Sequence, residues 1–202
     1  MNKIIVTINR QFCSGGNSIG KKLSEKLEIP YYDKELVNLA AKKAGYAEAT
    51  FEKVDEVATN SLLYSLIMGV HNSTQTGILP DNDKLFTIQA DIIRKAAQEG
   101  SCVVLGRCSN YILREENPLV RVFLKADMDF RKERYEKLYG TPEKGTIEEL
   151  LDKKDKKRAS YFKFYTGHRW EDIDNYDLVI NTAKIGLDNT VDTIIDYISK
   201  LN

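Results

Sequence analysis

The stretch Lys3–Leu27 is the strongest constraint on what this chain can fold into. Ile4-Ile5-Val6-Thr7-Ile8 is a continuous run dominated by β-branched residues, which suits a strand buried on both faces of a parallel sheet. Asn9 to Ser18 is a polar loop with Gly15 and Gly16 near its end. Beyond it Ile19, Leu23 and Leu27 recur every fourth residue, with Lys21, Lys22, Glu25 and Lys26 on the other faces, so the spacing predicts an amphipathic helix. A strand, a glycine loop and a helix N-terminus can hold a phosphate, because backbone N–H groups converge there and the helix adds partial positive charge. An ordinary strand-to-helix turn is the competing reading.

The strict phosphate-loop pattern G-x-x-x-x-G-K-[ST] is absent. Ser18 is where a hydroxyl could hold Mg²⁺. Counting back from it puts Asn17 at the lysine place, or Gly16 if one residue more separates lysine and hydroxyl. The first glycine of the pattern is then Gln11 or Arg10.

Strand and helix patterns alternate along the rest of the chain. Residues 28–32 read as a short strand, and Asp33 can cap a helix that buries Leu36, Leu39, Ala40 and Ala41. Helical patterns continue to about residue 70. Leu62, Leu63, Leu66 and Ile67 make an apolar patch there that suits core packing first and a homodimer contact second. His71 has no second ligand at metal spacing and reads as a loop residue, in a loop running to Asp83.

A helix over Leu85–Gln98 follows, then a strand over 101–105 ended by Gly106-Arg107. A short helix to Leu113, a strand over 119–124 and a helix from Asp127 to about Leu138 come next. Thr146 and Glu149 form a capping box opening a basic helix, and 176–181 is the last strand. A final helix over 188–200 turns Val191, Ile194, Ile195 and Ile198 inward. These elements predict an α/β fold with a parallel sheet of about five strands and helices on both faces.

The chain's 202 residues suffice for one domain with a full core, and its formal net charge is zero, so any anion site must be local and no nucleic acid is expected. Three cysteines without paired spacing argue against a disulfide framework and for a reducing, cytoplasmic setting. Two histidines and no CxxC make zinc a poor candidate. The chain opens directly into a strand, so no signal peptide is expected, and no apolar run is long enough for a membrane span.

Ligands of such sheets collect at the strands' carboxyl ends. The glycine loop and Arg107 fall there, and the basic helix 150–163 could fold over them. An arginine in that place can fork two donors onto a phosphate. Arg131 and Arg134, one turn apart, by themselves suit a solvated helix face. In Asp152-Lys153-Lys154-Asp155-Lys156-Lys157-Arg158 the carboxylate of Asp155 could hold Arg158, and Tyr161, Phe162, Phe164 and Tyr165 follow. A basic, aromatic arm of this kind could close as a lid; alone, it suits a solvated charged helix with one apolar stripe.

Together these pieces resemble the nucleoside monophosphate kinases, most closely cytidylate kinase and its cytidylate-kinase-like relatives. The likeness runs through Ser14-Gly15-Gly16-Asn17-Ser18-Ile19, Tyr32-Asp33, Val104-Leu105-Gly106-Arg107, Val122-Phe123-Leu124 with Arg131 and Arg134, Asp155-Lys156-Lys157-Arg158 and Tyr176–Asn181. It implies a three-layer P-loop kinase fold in one domain: core 1–32, 84–145 and 174–202, a helical acceptor-binding insert 33–83 and a lid 146–173. It implies transfer of the ATP γ-phosphate, with Mg²⁺, to a CMP-like nucleotide. By position Ser14, Gly15, Gly16, Asn17 and Ser18 would cradle the donor phosphates, with Ser18 toward the metal. Asp33, Lys34 and Asp155 would lie by the acceptor, and Arg107 by its phosphate. Arg131 would lie at the lid hinge or donor side, and Arg158 would reach the transferring group.

Two departures stand out. The loop lysine is missing, with Arg10 the preferred replacement charge over Lys21 or a lid lysine. Cys108 stands where cytidylate kinase has an Asp that helps recognise the nucleoside, which opens the acceptor to related small molecules. A nucleotide-binding regulatory protein without turnover is the alternative, and an interaction module using the 62–67 patch a third.

Overall fold

The computed structural model describes residues 3–35 and 81–201. Five parallel strands lie in the order β2-β3-β1-β4-β5. They are β1 (Ile5–Arg10), β2 (Tyr31–Tyr32), β3 (Cys102–Leu105), β4 (Leu119–Lys125) and β5 (Leu178–Asn181). Among the described residues the helices are α1 (Gly16–Leu27), α2 (Asp81–Glu99), α3 (Ser109–Ile112), α4 (Met128–Tyr139), α5 (Ile147–Thr166), α6 (Thr182–Ile185) and α7 (Leu187–Ser199).

Period-two alternation divides the central strand between two cores. Ile4, Val6 and Ile8 pack with Ile19, Leu23 and Leu27 of α1 and with Val191, Ile194 and Ile198 of α7. Ile5 joins the opposite core with Ala90, Ile93 and Ala97 of α2, Phe123, Phe162 and Trp170. Each such fully buried aliphatic side chain contributes about 1.5–3 kcal/mol. Helices on both faces are thus what a continuous apolar strand requires, and the three layers agree with the expected α/β class.

The boundaries differ from the sequence reading where capping chemistry intervenes. β2 is shorter than 28–32 because Glu28 turns left-handed (φ 54°) to close α1, and the N–H of Ile29 donates to the carbonyl of Ser24. β5 starts after Asp177, whose carboxylate takes a two-pronged contact from Arg121 (2.6 and 3.2 Å). The Thr146–Glu149 capping box is present and opens α5, which runs to Thr166 rather than 163. The helix expected after Asp33 with Leu36, Leu39, Ala40 and Ala41, the Leu62–Ile67 patch with its homodimer contact, and His71 lie outside the described residues. Among the described residues no helix is long and apolar enough to cross a membrane.

Candidate active site

The carboxyl ends of β1, β3 and β4 meet the loop that leads into α1. Bonds to neighbouring elements fix its shape. The N–H of Gln11 donates to the carbonyl of Leu124 (2.9 Å), and Gln11 Oε1 accepts from the N–H of Ala126 (3.1 Å). Ser14 is buried and spends both N–H and hydroxyl on the carbonyl of Gln11 (3.3 and 2.9 Å), while its own carbonyl accepts from Thr182 Oγ1 (2.8 Å). Ser14 therefore shapes the loop, with its donors turned inward.

Gly15 caps α1 with no side-chain bond, and the helix starts at Gly16, which places Asn17 and Ser18 in its first turn. Asn17, directly after the last loop glycine, is exposed. The Ser18 hydroxyl accepts a hydrogen bond from Arg134 Nη2 (2.9 Å).

Arg10 threads between two glycines. A Cβ on Gly16 would lie 2.6 Å from Arg10 Cγ, and one on Gly106 would collide with Arg10 Nη1. The guanidinium thus lies across the Gly106 turn, with its stem under the first residue of α1. Burial, then the nearby Arg158, lowers Arg10 to about 9; Arg107 adds to the fall, and Tyr31 and Asp33 oppose it.

The turn after β3 has three successive left-handed residues, Gly106 (φ 74°), Arg107 (φ 55°) and Cys108 (φ 57°). For the two non-glycine residues this conformation costs on the order of 1–2 kcal/mol each. It directs Arg107 toward α5, where the guanidinium lies 5.4 Å from the Tyr161 ring centroid. Cys108 turns into the core, only 2% exposed, and burial raises its thiol to about 12. Lys34 is exposed but sits in the same positive region: the partial burial of its side chain, then Arg107 and Lys154, lowers it to about 8. Asp33, Lys34, Arg10 and Arg107 are therefore neighbours.

The α5 helix is anchored to the loop, which corrects the reading of a solvated charged helix. Asp155 Oδ1 accepts from the N–H of Phe12 and Oδ2 from Arg131 Nη1, each at 2.6 Å. Arg158 Nη1 donates to the carbonyl of Arg10 (2.9 Å) and stands 3.7 Å from Asp155. Asp155 does face Arg158 as the spacing suggests, but its shorter partner is Arg131 on α4. Burial raises the Asp155 carboxyl above the usual range despite the Phe12 N–H and both arginines. The solvated face expected for Arg131 and Arg134 is likewise corrected: Arg131 is 5% exposed and Arg134 is half-buried against Ser18.

Sequence reasoning missed Arg134 as a loop residue and Phe12 as a platform. Phe12 stacks on Tyr139 (6.0 Å) and lies 5.2 Å from the Arg158 guanidinium. The available signal was the i,i+3 spacing of Arg131 and Arg134, which puts both on one face of α4.

The chemistry available is anion binding. A helix N-terminus and arginines from β1, α4 and α5 meet at one loop, with Arg107 of the neighbouring β3 turn next to Arg10. Ser18, the candidate metal ligand, turns one of its two lone pairs to the Arg134 guanidinium, so a cation on this hydroxyl would stand beside a fixed positive charge. Among the described residues no group of three His, Cys, Asp or Glu could hold a metal.

A family model described as the cytidylate kinase-like family matches residues 5–184. No curated protein matches the chain. Among solved structures, an uncharacterized protein from Eubacterium ventriosum ATCC 27560 is 29% identical, covering 98% of this chain and 99% of that one, with a TM-score of 0.73. A gluconokinase from Sinorhizobium meliloti 1021 (17% identity, 99% and 93% covered, TM-score 0.54) shares the fold. So does the shikimate kinase from Acinetobacter baumannii in complex with shikimate (12%, 100% and 96%, 0.54).

Proposed function

Since the chain belongs to the cytidylate kinase-like family, we propose that it is a nucleotide-dependent phosphotransferase that moves the ATP γ-phosphate to a nucleoside monophosphate of the CMP type or a related small acceptor. The observation that carries this reading is the gathering of Arg10 and Arg158 beside the loop at the start of α1, with Arg107 in the turn next to Arg10. Phosphoryl transfer is accelerated mainly by positioning and by positive charge on the equatorial oxygens, so such a cluster matters more than any side-chain base. A phosphate acceptor is already anionic and needs no deprotonation.

In this reading the N–H groups at Gly15, Gly16, Asn17 and Ser18 hold the donor phosphates. Arg107 takes the acceptor phosphate, with Lys34 and Asp33 beside it. Arg10 and Arg158 face the group in transit, and Asp155 and Arg131 keep α5 seated on the loop. The insert 33–83 would complete the acceptor side, and α5 the lid. Cys108 is turned into the core, so it cannot read an acceptor base as a carboxylate there would, and the acceptor is chosen more by charge than by its base. ATP is the proposed donor.

An exposed Asn17 directly after the last loop glycine favours a second reading, nucleotide binding without turnover. A coupled ADP-release assay across CMP, UMP, AMP and nucleosides separates the two. Turnover with one acceptor, lowered at least ~100-fold in kcat/KM by Arg107→Ala and by Arg158→Ala, supports the kinase. Binding of ATP with no ADP release for any acceptor supports the second reading. Unchanged rates in both variants reject the site.

A further inference from the structure

We propose that Arg134 supplies the phosphate loop with the cationic charge that a loop lysine would otherwise bring, so that phosphate binding there needs no magnesium on Ser18. The inference rests on the reading of this loop as the donor-phosphate site. It starts from the 2.9 Å hydrogen bond between Arg134 Nη2 and the Ser18 hydroxyl, which joins α4 to the first turn of α1. Arg134 has no carboxylate partner among the described residues, whereas Arg131 and Arg158 share Asp155. Of the charges that bear on the half-exposed Cys13 thiol, Arg134 is the strongest, so the guanidinium stands close to the middle of the loop as well as to its end.

The chemistry follows from that position. A guanidinium has five donors in a rigid fork, and Ser18 engages one of them. The others remain for phosphate oxygens, which the fork matches in geometry. Asn17, at the place that follows the loop glycines, is exposed and carries no charge. The Ser18 lone pair facing Arg134 is taken, and a divalent ion at about 2.1 Å from that oxygen would stand against a fixed positive charge.

Isothermal titration of the full chain with ATP and with inorganic triphosphate, each in EDTA and in Mg²⁺, tests the assignment. The wild type is expected to bind both ligands in EDTA within about threefold of its affinity in Mg²⁺. Arg134→Gln should weaken binding in EDTA by about tenfold or more, the scale of one charged hydrogen bond. Arg134→Lys, which keeps the charge and loses the fork, should fall between them and covers the case in which the Gln variant fails to fold. Ser18→Ala should weaken binding by the same factor in both buffers. Wild-type binding that requires Mg²⁺, Arg134 variants that bind like wild type, or a Ser18→Ala loss confined to Mg²⁺ would each overturn the proposal. Triphosphate binding in the expected pattern with no ATP binding leaves Arg134 in its role and removes the kinase reading. Binding of neither ligand in either buffer removes both.

Discussion

Asp155 is the point where α5 is fastened to the loop before α1, and its removal has a calculable cost. Its side chain is 13% exposed and that of its partner Arg131 is 6% exposed, so the pair is largely withdrawn from water. Removing one member of a buried pair typically costs about 3–5 kcal/mol, because the other charge stays buried without compensation. Asp155→Asn keeps an oxygen for the N–H of Phe12, which recovers about 1 kcal/mol. Arg131 would then retain the sulfur of Met128 (3.8 Å) beside an Nε that already lacks a partner. The expected destabilisation is about 2–4 kcal/mol, or roughly 4–16 °C in Tm for a chain of this size. Arg131→Met should cost less, since Asp155 keeps the Phe12 N–H and Arg158. The double variant should be more stable than Asp155→Asn alone, with a coupling of at least about 1.5 kcal/mol. Urea unfolding of the four proteins with a shared m-value measures the cycle. A change within ~0.5 kcal/mol for Asp155→Asn, or additive single variants, would refute the claim that this carboxylate ties α5, α4 and the loop together.

Three further outcomes follow from the same geometry. Lys34 loses its proton near 8 when folded and near its ordinary 10.5 when unfolded. Between those values the unfolded chain holds the extra proton and stability rises with pH from this group; Lys34→Met should flatten that rise in urea midpoints taken at pH 7.5 and 9.5, and equal slopes would contradict it. Gly106→Ala combines a left-handed φ with a methyl group in the place of Arg10 Nη1, so it should cost about 1–2 kcal/mol and lower kcat/KM at least ~10-fold; wild-type kinetics would show that Arg10 does not need this passage. Thr182→Val leaves the buried carbonyl of Ser14 without its 2.8 Å donor and should destabilise by about 1–3 kcal/mol in urea unfolding, while a neutral result would mean the loop is held without this bond.

The sheet was legible because its strands are apolar on both faces. Ile5, Val6 and Ile8 are fully buried, and a run with no polar side has few places in a fold other than the middle of a parallel sheet. The Thr146–Glu149 box was legible because capping is local, written in four residues. The site was legible as a list of basic residues near strand ends, but the pairing among them was not. Asp155 and Arg131 are 24 residues apart, Arg134 and Ser18 116 apart. No periodicity encodes such partners, and an arginine reads as solvated until the fold brings a partner to it. The inward turn of Cys108 was hidden for another reason: it depends on successive left-handed residues, two of them of a type that rarely adopts that conformation.

The account rests on backbone N–H groups at the start of α1 and arginines from separate elements meeting on one triphosphate. A crystal structure of the protein with a non-hydrolysable ATP analogue measures this directly. The account predicts phosphate oxygens within about 3 Å of the N–H groups of Gly16, Asn17 and Ser18, with the Arg134 guanidinium on the same phosphates and Arg158 on the terminal one. An analogue seated away from the α1 N-terminus, or a loop left empty at saturating analogue, would contradict it.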